Sequence, residues 1–423
     1  MLQHNNDNDI KYLGSNYINL MKDTNSFKYF NHYHCYVEAN NIYFRKQYIN
    51  SMHKLHKMDN LEDIYKCLKI NNKKFVHYWM ESDSMNRYSE IKFMPKSCND
   101  KKILNLFTGF KYENYKKKKD YDENNIIHFK NHLNYICDGN DKIVNHIIHY
   151  IAHIIQKPFR KTECVIVLYS CVEGIGKNSF CDLLNKIFEN YVGEIKNIDT
   201  IENKFNSDLA CKLLVIGDEI KGKAHGVADQ LKNLITQKKI RIEYKGKEPV
   251  LLDDYTNYIF TTNNEFIFKI TENDRRYMLI ECPLIKKDKK YFDDYYEKIN
   301  DDEYVTDIFY YLNNLDLSNY DPREIPLNDY KKRNILMNLP AYIQMIRQNY
   351  DDFCEHRYSI KELYPVAVEY AKKNKLVYSF SIKMMALDYK KFFGNFSKII
   401  HNTNNYYFPK DFEDIDEHIM SVL

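Results

Sequence analysis

Residues 164–180 read Cys-Val-Ile-Val-Leu-Tyr-Ser-Cys-Val-Glu-Gly-Ile-Gly-Lys-Asn-Ser-Phe. The apolar run predicts a strand from Cys164 to Leu168, a turn carrying Gly174 and Gly176 follows, and Lys177 opens a helix. This is the chemistry of a phosphate-binding loop. Glycines let backbone N–H groups turn inward around an anion, the lysine meets the outer phosphates, and the helix N-terminus adds its positive end. The candidate ATP contacts are Gly174, Ile175, Gly176, Lys177, Asn178 and Ser179. Two places depart from the usual pattern: Cys171 stands where a first glycine is expected, and Asn178 where a hydroxyl would meet Mg2+. Asn178 offers a carbonyl oxygen that Mg2+ accepts, Ser179 offers a hydroxyl one step later, and both remain open.

The elements that follow would bring acids, an amide and a fork of donors to the same loop. The apolar run Leu213–Gly217 ends in Asp218-Glu219; Asp218 suits the metal, and Glu219 would orient and deprotonate the attacking water. The run Tyr258–Phe260 leads into Thr261-Thr262-Asn263-Asn264. An amide there can bond the γ-phosphate and the water together, and Asn263 is favoured over Asn264 because it follows the strand more directly. Asp274-Arg275-Arg276 precedes a fourth apolar run, Tyr277–Ile280, and either arginine could spread developing phosphoryl charge. Each feature alone reads as an ordinary turn or surface pair; their order joins them. Behind the loop, Phe180, Leu183, Leu184, Ile187 and Phe188 form one apolar stripe at helical period.

In this order the motifs resemble the superfamily 3 helicases, a viral and plasmid branch of the AAA+ ATPases, and in particular the poxvirus-type and phage-type primase-helicases. The resemblance implies an α/β fold: an AAA+ P-loop ATPase core with a parallel sheet, preceded by a helical bundle and followed by a winged helix. In it, Gly174, Gly176, Lys177 and Ser179 match the Walker A region, Asp218 and Glu219 Walker B, Asn263 sensor 1, and Arg275 or Arg276 the arginine finger. ATP and Mg2+ are then the ligands, and a homohexameric ring shares each site between neighbours. Ile240, Ile242 and Tyr244 alternate with Arg241 and Glu243, Lys245-Gly246-Lys247 turns, and Val250–Leu252 returns, which predicts a hairpin with a basic tip. In the relatives such a hairpin grips single-stranded DNA in the ring channel, so Lys245 and Lys247 would contact phosphate. The aromatic segments Phe75–Trp79, Arg87–Tyr88, Ile91–Phe93 and Leu104–Phe110 resemble the region preceding the ATPase in these enzymes, without identifiable chemistry.

Length allows two or three domains. The expected division is 1–120 without an assigned role, 121–158 helical and ring-assembling, 159–285 the ATPase core, 286–350 a helical connector opening with the charged run 286–290, and 351–423 a winged helix or a plain helical tail. In the last segment, Ser359 and Glu362 spell a capping box, with Leu363, Val366 and Tyr370 inward, a second helix fits 382–393, and Lys383, Lys390 and Lys391 could meet DNA phosphates. The basic run Lys116–Lys119 between Tyr115 and Tyr121 could stack on and bind single-stranded DNA, and is favoured as a solvated linker.

Sixty-two basic and 59 acidic side chains leave a formal charge of only +3, so DNA contact must come from local patches. Ten cysteines without a Cys-x-x-Cys pair argue for a reducing compartment and against a zinc ribbon. The cluster His32, His34, Cys35, His53 and His56 lacks the ordered ligand doublets of a metal site. No leader or membrane-length apolar run appears, so a soluble protein inside the cell is expected, in the host cytoplasm or at a viral replication site. The expectation is an ATP-dependent replicative DNA helicase, working with a primase or polymerase encoded elsewhere. Two other readings stay open: a nucleotide-binding DNA scaffold that hydrolyses poorly, and a DNA-packaging motor.

Overall fold

The computed structural model describes residues 30–423 apart from 32–33, 41, 50–51, 59–60, 67–68, 71, 97–99, 115–120, 196–205, 219–226, 244–249, 265–269, 271–273, 355, 377–378, 401–402 and 410–413. Near the N-terminus, β1 (His34–Val37), β2 (Ile42–Ile49), β3 (Met52–Met58) and β4 (Arg87–Tyr88) form a sheet in the order β3-β2-β1-β4. Helix α1 (Phe75–Glu81) buries Phe75, Val76 and Trp79 against Phe30, Leu61 and Met85. His34 belongs to this packing: it stacks on Phe30 at 3.9 Å, and its ring nitrogens engage the Phe30 carbonyl and the Tyr65 hydroxyl. His32 and the basic run 116–119 lie outside the described residues.

Helices α2 (Glu123–Ile136) and α3 (Asp141–Gln156) start where Asp122 and Asn140 cap them. The stripes read from the sequence are the buried ones: Phe129, Leu133 and Ile136, then Ile143, Ile147, Ile148, Ile151 and Ile155. Each such side chain contributes about 1.5–3 kcal/mol relative to exposure, which outweighs the helix propensity the isoleucines give up.

The four apolar runs form strands of one parallel sheet with a fifth that the sequence reading missed. They are β5 (Val165–Tyr169), β6 (Val192–Ile195), β7 (Leu214–Gly217), β10 (Asn257–Thr262) and β11 (Tyr277–Glu281), arranged β6-β7-β10-β5-β11. Helix α4 (Lys177–Phe188) follows β5, and between β7 and β10 lie α5 (Val227–Thr236) and a hairpin of β8 (Lys239–Ile242) and β9 (Val250–Asp253). Every residue of β5 and β10 is buried, as strands covered on both faces require. Ile166 and Leu168 point to one core, shared with α2, α3, α4, α6 (Lys289–Ile299) and α7 (Asp302–Asn313). Val165, Val167 and Tyr169 point to the other, with Leu231, Ile235, Ile240, Ile242 and Tyr330. The first core runs through both expected boundaries, at 158 and 285, so the flanking helices are one of the layers that hold the sheet.

After α8 (Asp329–Met337) and α9 (Ala341–Gln348), a third core encloses β12 (Arg357–Ser359), α10 (Ile360–Lys373), α11 (Ile382–Phe393), β13 (Ser397–Ile400), β14 (Thr403–Tyr407) and α12 (Ile415–Val422). The strands pair antiparallel in the order β12-β14-β13. The Ser359–Glu362 capping box forms, but the inward face of α10 is Leu363, Ala367 and Ala371; Val366 is 44% exposed.

Candidate functional site

Parallel pairing sets Gly217 beside Phe260 and Thr262 beside Tyr169, so the C-terminal ends of β7, β10 and β5 lie together. In open parallel sheets this edge is where ligands bind. The loop leaving β5 begins where the Ser170 N–H donates to the Thr262 carbonyl at 3.1 Å. Gly174 and Gly176 have φ of 72° and 97°, the left-handed region that glycine enters without steric cost. Cys171 has no positive φ, so the place of the first glycine needs none. A methyl group on Gly176 would lie 3.0 Å from Phe292 Cε1 and 3.2 Å from His132 Cε1.

Lys177 is 7% exposed and donates to Asn263 Oδ1 at 2.7 Å. Asp218 is positioned from two sides: Thr261 Oγ1 donates to its Oδ1 at 2.7 Å and Asn178 Nδ2 to its Oδ2 at 3.3 Å. Ser179 faces elsewhere. One residue along the helix turns it about 100° from Asn178. Its hydroxyl is buried, donates to the Gly176 carbonyl at 2.7 Å and lies 3.0 Å from His132 Nε2. Because the Ser179 proton is committed to Gly176, His132 Nε2–H is the donor to Ser179, and its Nδ1 accepts from the Tyr291 hydroxyl at 2.9 Å. Burial, helped by the neighbouring His128, pushes the His132 pKa down to about 3, so this link from α2 and α6 to the loop is a neutral one.

Arg275 and Arg276 behave differently. Arg276 grips Asp274 through two 2.8 Å bonds, Nε to Oδ1 and Nη2 to Oδ2, while Arg275 is exposed. Both precede β11, and the Arg276 carbonyl accepts from Val165 N–H at 2.7 Å, at the start of β5. The glycine loop leaves the other end of that strand, about 17 Å away at about 3.3 Å per residue. The arginines and the loop therefore occupy opposite ends of the sheet. Glu219, Lys245 and Lys247 lie outside the described residues, although the hairpin that carries both lysines is present, with Ile242 paired to Val250.

Two residues near the loop escaped the sequence reading. In sequence, His132 is only the neighbour of Leu133 in the apolar stripe and belongs to no motif. Lys286 looked like part of a solvated connector, yet a methyl group on Gly174 would lie 2.5 Å from its Cε and 2.7 Å from its Nζ. The glycines, cations, amides and carboxylate make a donor set that fits a polyphosphate with a hard cation. A side chain at either glycine would run into neighbours already packed there, Lys286 over Gly174 and Phe292 with His132 over Gly176.

A model described as a family of unknown function (DUF5906) matches residues 168–276, which contain the loop, Asp218, Asn263 and both arginines. A DNA primase-polymerase of Nitratiruptor phage NrS-1 is 28% identical over 208 residues, covering 48% of this chain and 28% of that protein. The alignment thus spans less than a third of this relative. Among solved structures, the A form apo structure of the NrS-1 C-terminal region aligns with TM-score 0.64 and 18% identity, over 87% of this chain and 94% of that one. The apo structure of NrS-1 residues 305–718 aligns with TM-score 0.61 and 20% identity, over 83% and 81%. The chain is therefore similar over about half its length to a phage DNA primase-polymerase and shares the fold of the NrS-1 C-terminal region.

Proposed function

We propose that this chain is an ATP-hydrolysing motor of the superfamily 3 type, acting as a ring on single-stranded DNA beside a primase or polymerase. The observation that carries the reading is the convergence of Lys177, Asn263, Asn178 and Asp218 on one glycine loop at the C-terminal ends of three adjacent parallel strands. Lys177 and the loop N–H groups hold the phosphates. Of the two cation candidates, Asn178 is the one beside Asp218, whereas the Ser179 hydroxyl is committed to Gly176 and His132. The Asn178 amide points its Nδ2 donor at Asp218, so it would hold Mg2+ only with the amide turned to present Oδ1, and the ion would then neutralise phosphate charge. A water oriented by Asn263 and Glu219 attacks the γ-phosphorus. The new P–O bond forms as the β,γ-bridging bond breaks, the electron pair leaves on ADP, and the proton passes to Glu219.

The arginine comes from the next subunit, a role supported by its position at the far end of its own sheet. Arg275 is the better candidate, because Arg276 is tied to Asp274. Lys245 and Lys247 grip the DNA strand. The helix–strand–helix–helix–strand–strand order of α9 to β14 supports a winged helix, with Lys383, Lys390 and Lys391 exposed on α11 for duplex phosphates.

Measuring ATP turnover with and without single-stranded DNA, beside the mass of the assembled particle, tests the reading. DNA-stimulated turnover by a hexamer supports it; nucleotide binding with no turnover favours the scaffold, which Asn178 in the hydroxyl position motivates. No nucleotide binding at all refutes both.

A further inference from the structure

We infer that Lys286 is a second phosphate-binding lysine of the glycine loop, contacting the diphosphate part of the nucleotide that ADP and ATP share. This rests on the proposal that the loop holds a nucleotide. Its neighbours restrain the lysine from both sides. Tyr135 of α2 donates its hydroxyl to the Ile285 carbonyl at 3.2 Å, and the same oxygen accepts from the Lys287 N–H at 3.2 Å. The Lys287 ammonium lies 5.2 Å over the Tyr135 ring, and Asp288 then caps α6 through the Tyr291 N–H at 2.9 Å. Upstream, Cys282 N–H continues the sheet to the Tyr169 carbonyl at 2.8 Å, so the segment leaves β11 beside the strand that feeds the loop.

The backbone is thus fastened before and after Lys286, and its side chain ends over Gly174. Gly174 precedes the helix that Lys177 opens, so the two ammonium groups approach the cradle from different elements: one buried and bonded to Asn263, the other exposed at the rim. The exposed group keeps a mobile stem and a hydrated head, suited to closing on an anion after it enters. Glycine at 174 then serves twice, giving the turn its positive φ and leaving room for the lysine.

The test uses the full chain and fluorescent ADP and ATP analogues, with inorganic pyrophosphate as competitor. Lys286→Gln should weaken both analogues by about tenfold, one charge-assisted contact or about 1.4 kcal/mol, while Lys286→Arg stays near wild type. Pyrophosphate competition should weaken in parallel, and the variant should melt with the wild type, since the side chain is exposed. If the wild type binds the analogues and Lys286→Gln binds them equally or more tightly, Lys286 is not a ligand and the loop reading survives. If the wild type binds neither analogue, the loop reading and this inference fall together.

Discussion

The arginine pair offers the sharpest separation of structure from function. Asp274 is 3% exposed at its side chain, and Arg276, 30% exposed, holds both its oxygens. Removing one partner of a buried pair costs about 3–5 kcal/mol, because the other charge stays buried. Here the loss is smaller. The guanidinium is partly solvated, residue 276 would still donate its N–H to Asp274 Oδ1 at 3.1 Å, and Lys331 remains 3.0 Å from the Asp274 carbonyl. Arg276→Ala should therefore cost about 2 kcal/mol after discounting for solvent, lowering the melting temperature of a chain this long by about 2 °C. Arg275→Ala should leave the melting temperature unchanged and abolish ATP turnover. Mixed in equal amounts with Glu219→Gln, it should recover about a quarter of wild-type turnover, the fraction of head-to-tail interfaces in which an intact arginine faces an intact glutamate. Arg276→Ala that melts with the wild type, or no recovery in the Arg275 mixture, refutes the assignment.

Two further expectations follow from the packing and a third from the proposed basic hairpin. Lys161 donates to Asp254 at 2.8 Å and to the carbonyls of Leu234 and Gln237, joining α5 and the hairpin's return strand to the start of β5. Asp254→Asn leaves that ammonium buried without its counter-charge and should cost about 3 kcal/mol in urea unfolding. His132, His146 and His153 are pushed by burial to about 3, 4 and 4, below the ordinary value of about 6.5. The unfolded chain binds more protons between those values, so stability is full above about pH 6.5 and declines as pH falls, by up to about 2 kcal/mol per histidine at pH 5; denaturant midpoints from pH 7 to 5 measure this. Replacing Lys245 and Lys247 together by Ala should weaken single-stranded DNA binding, make its logarithmic salt slope shallower by about 1.4, and leave nucleotide binding unchanged.

Much of the sheet was legible because its strands are covered on both faces and announce themselves as unbroken apolar runs. Val192–Ile195 escaped because it is four residues long and contains Gly193, whose added Cβ would lie 3.0 Å from the Asp208 carbonyl oxygen. The helical pair at 123–156 was read correctly as helix, but its membership of the sheet's own core depends on contacts far apart in sequence. Periodicity assigned Val366 to the inside of α10, whereas the buried face follows Leu363, Ala367 and Ala371, small residues that the eye passes over. Around the loop, residue types were informative and orientations were not. Asn178 and Ser179 are neighbours in sequence, and only the start of α4 at Lys177 decides which one meets Asp218. Lys286 sits in a run of lysines, and nothing local marks it as the one whose flanking backbone, at Ile285 and Lys287, Tyr135 fastens.

Because every strand of the sheet runs the same way, Arg275 and the glycine loop stand at its opposite ends, and the proposed motor would have a donor end and an acceptor end. Two copies related by a twofold axis could pair antiparallel and complete two centres at once, each arginine reaching its partner's loop. A heterologous contact joins the same two ends head to tail, and a row built that way ends when a ring closes. In the proposed head-to-tail assembly an unclosed row strands one acceptor without its donor, so turnover per chain would climb with concentration until closure and then stay level, whereas a twofold dimer would reach its plateau at two subunits.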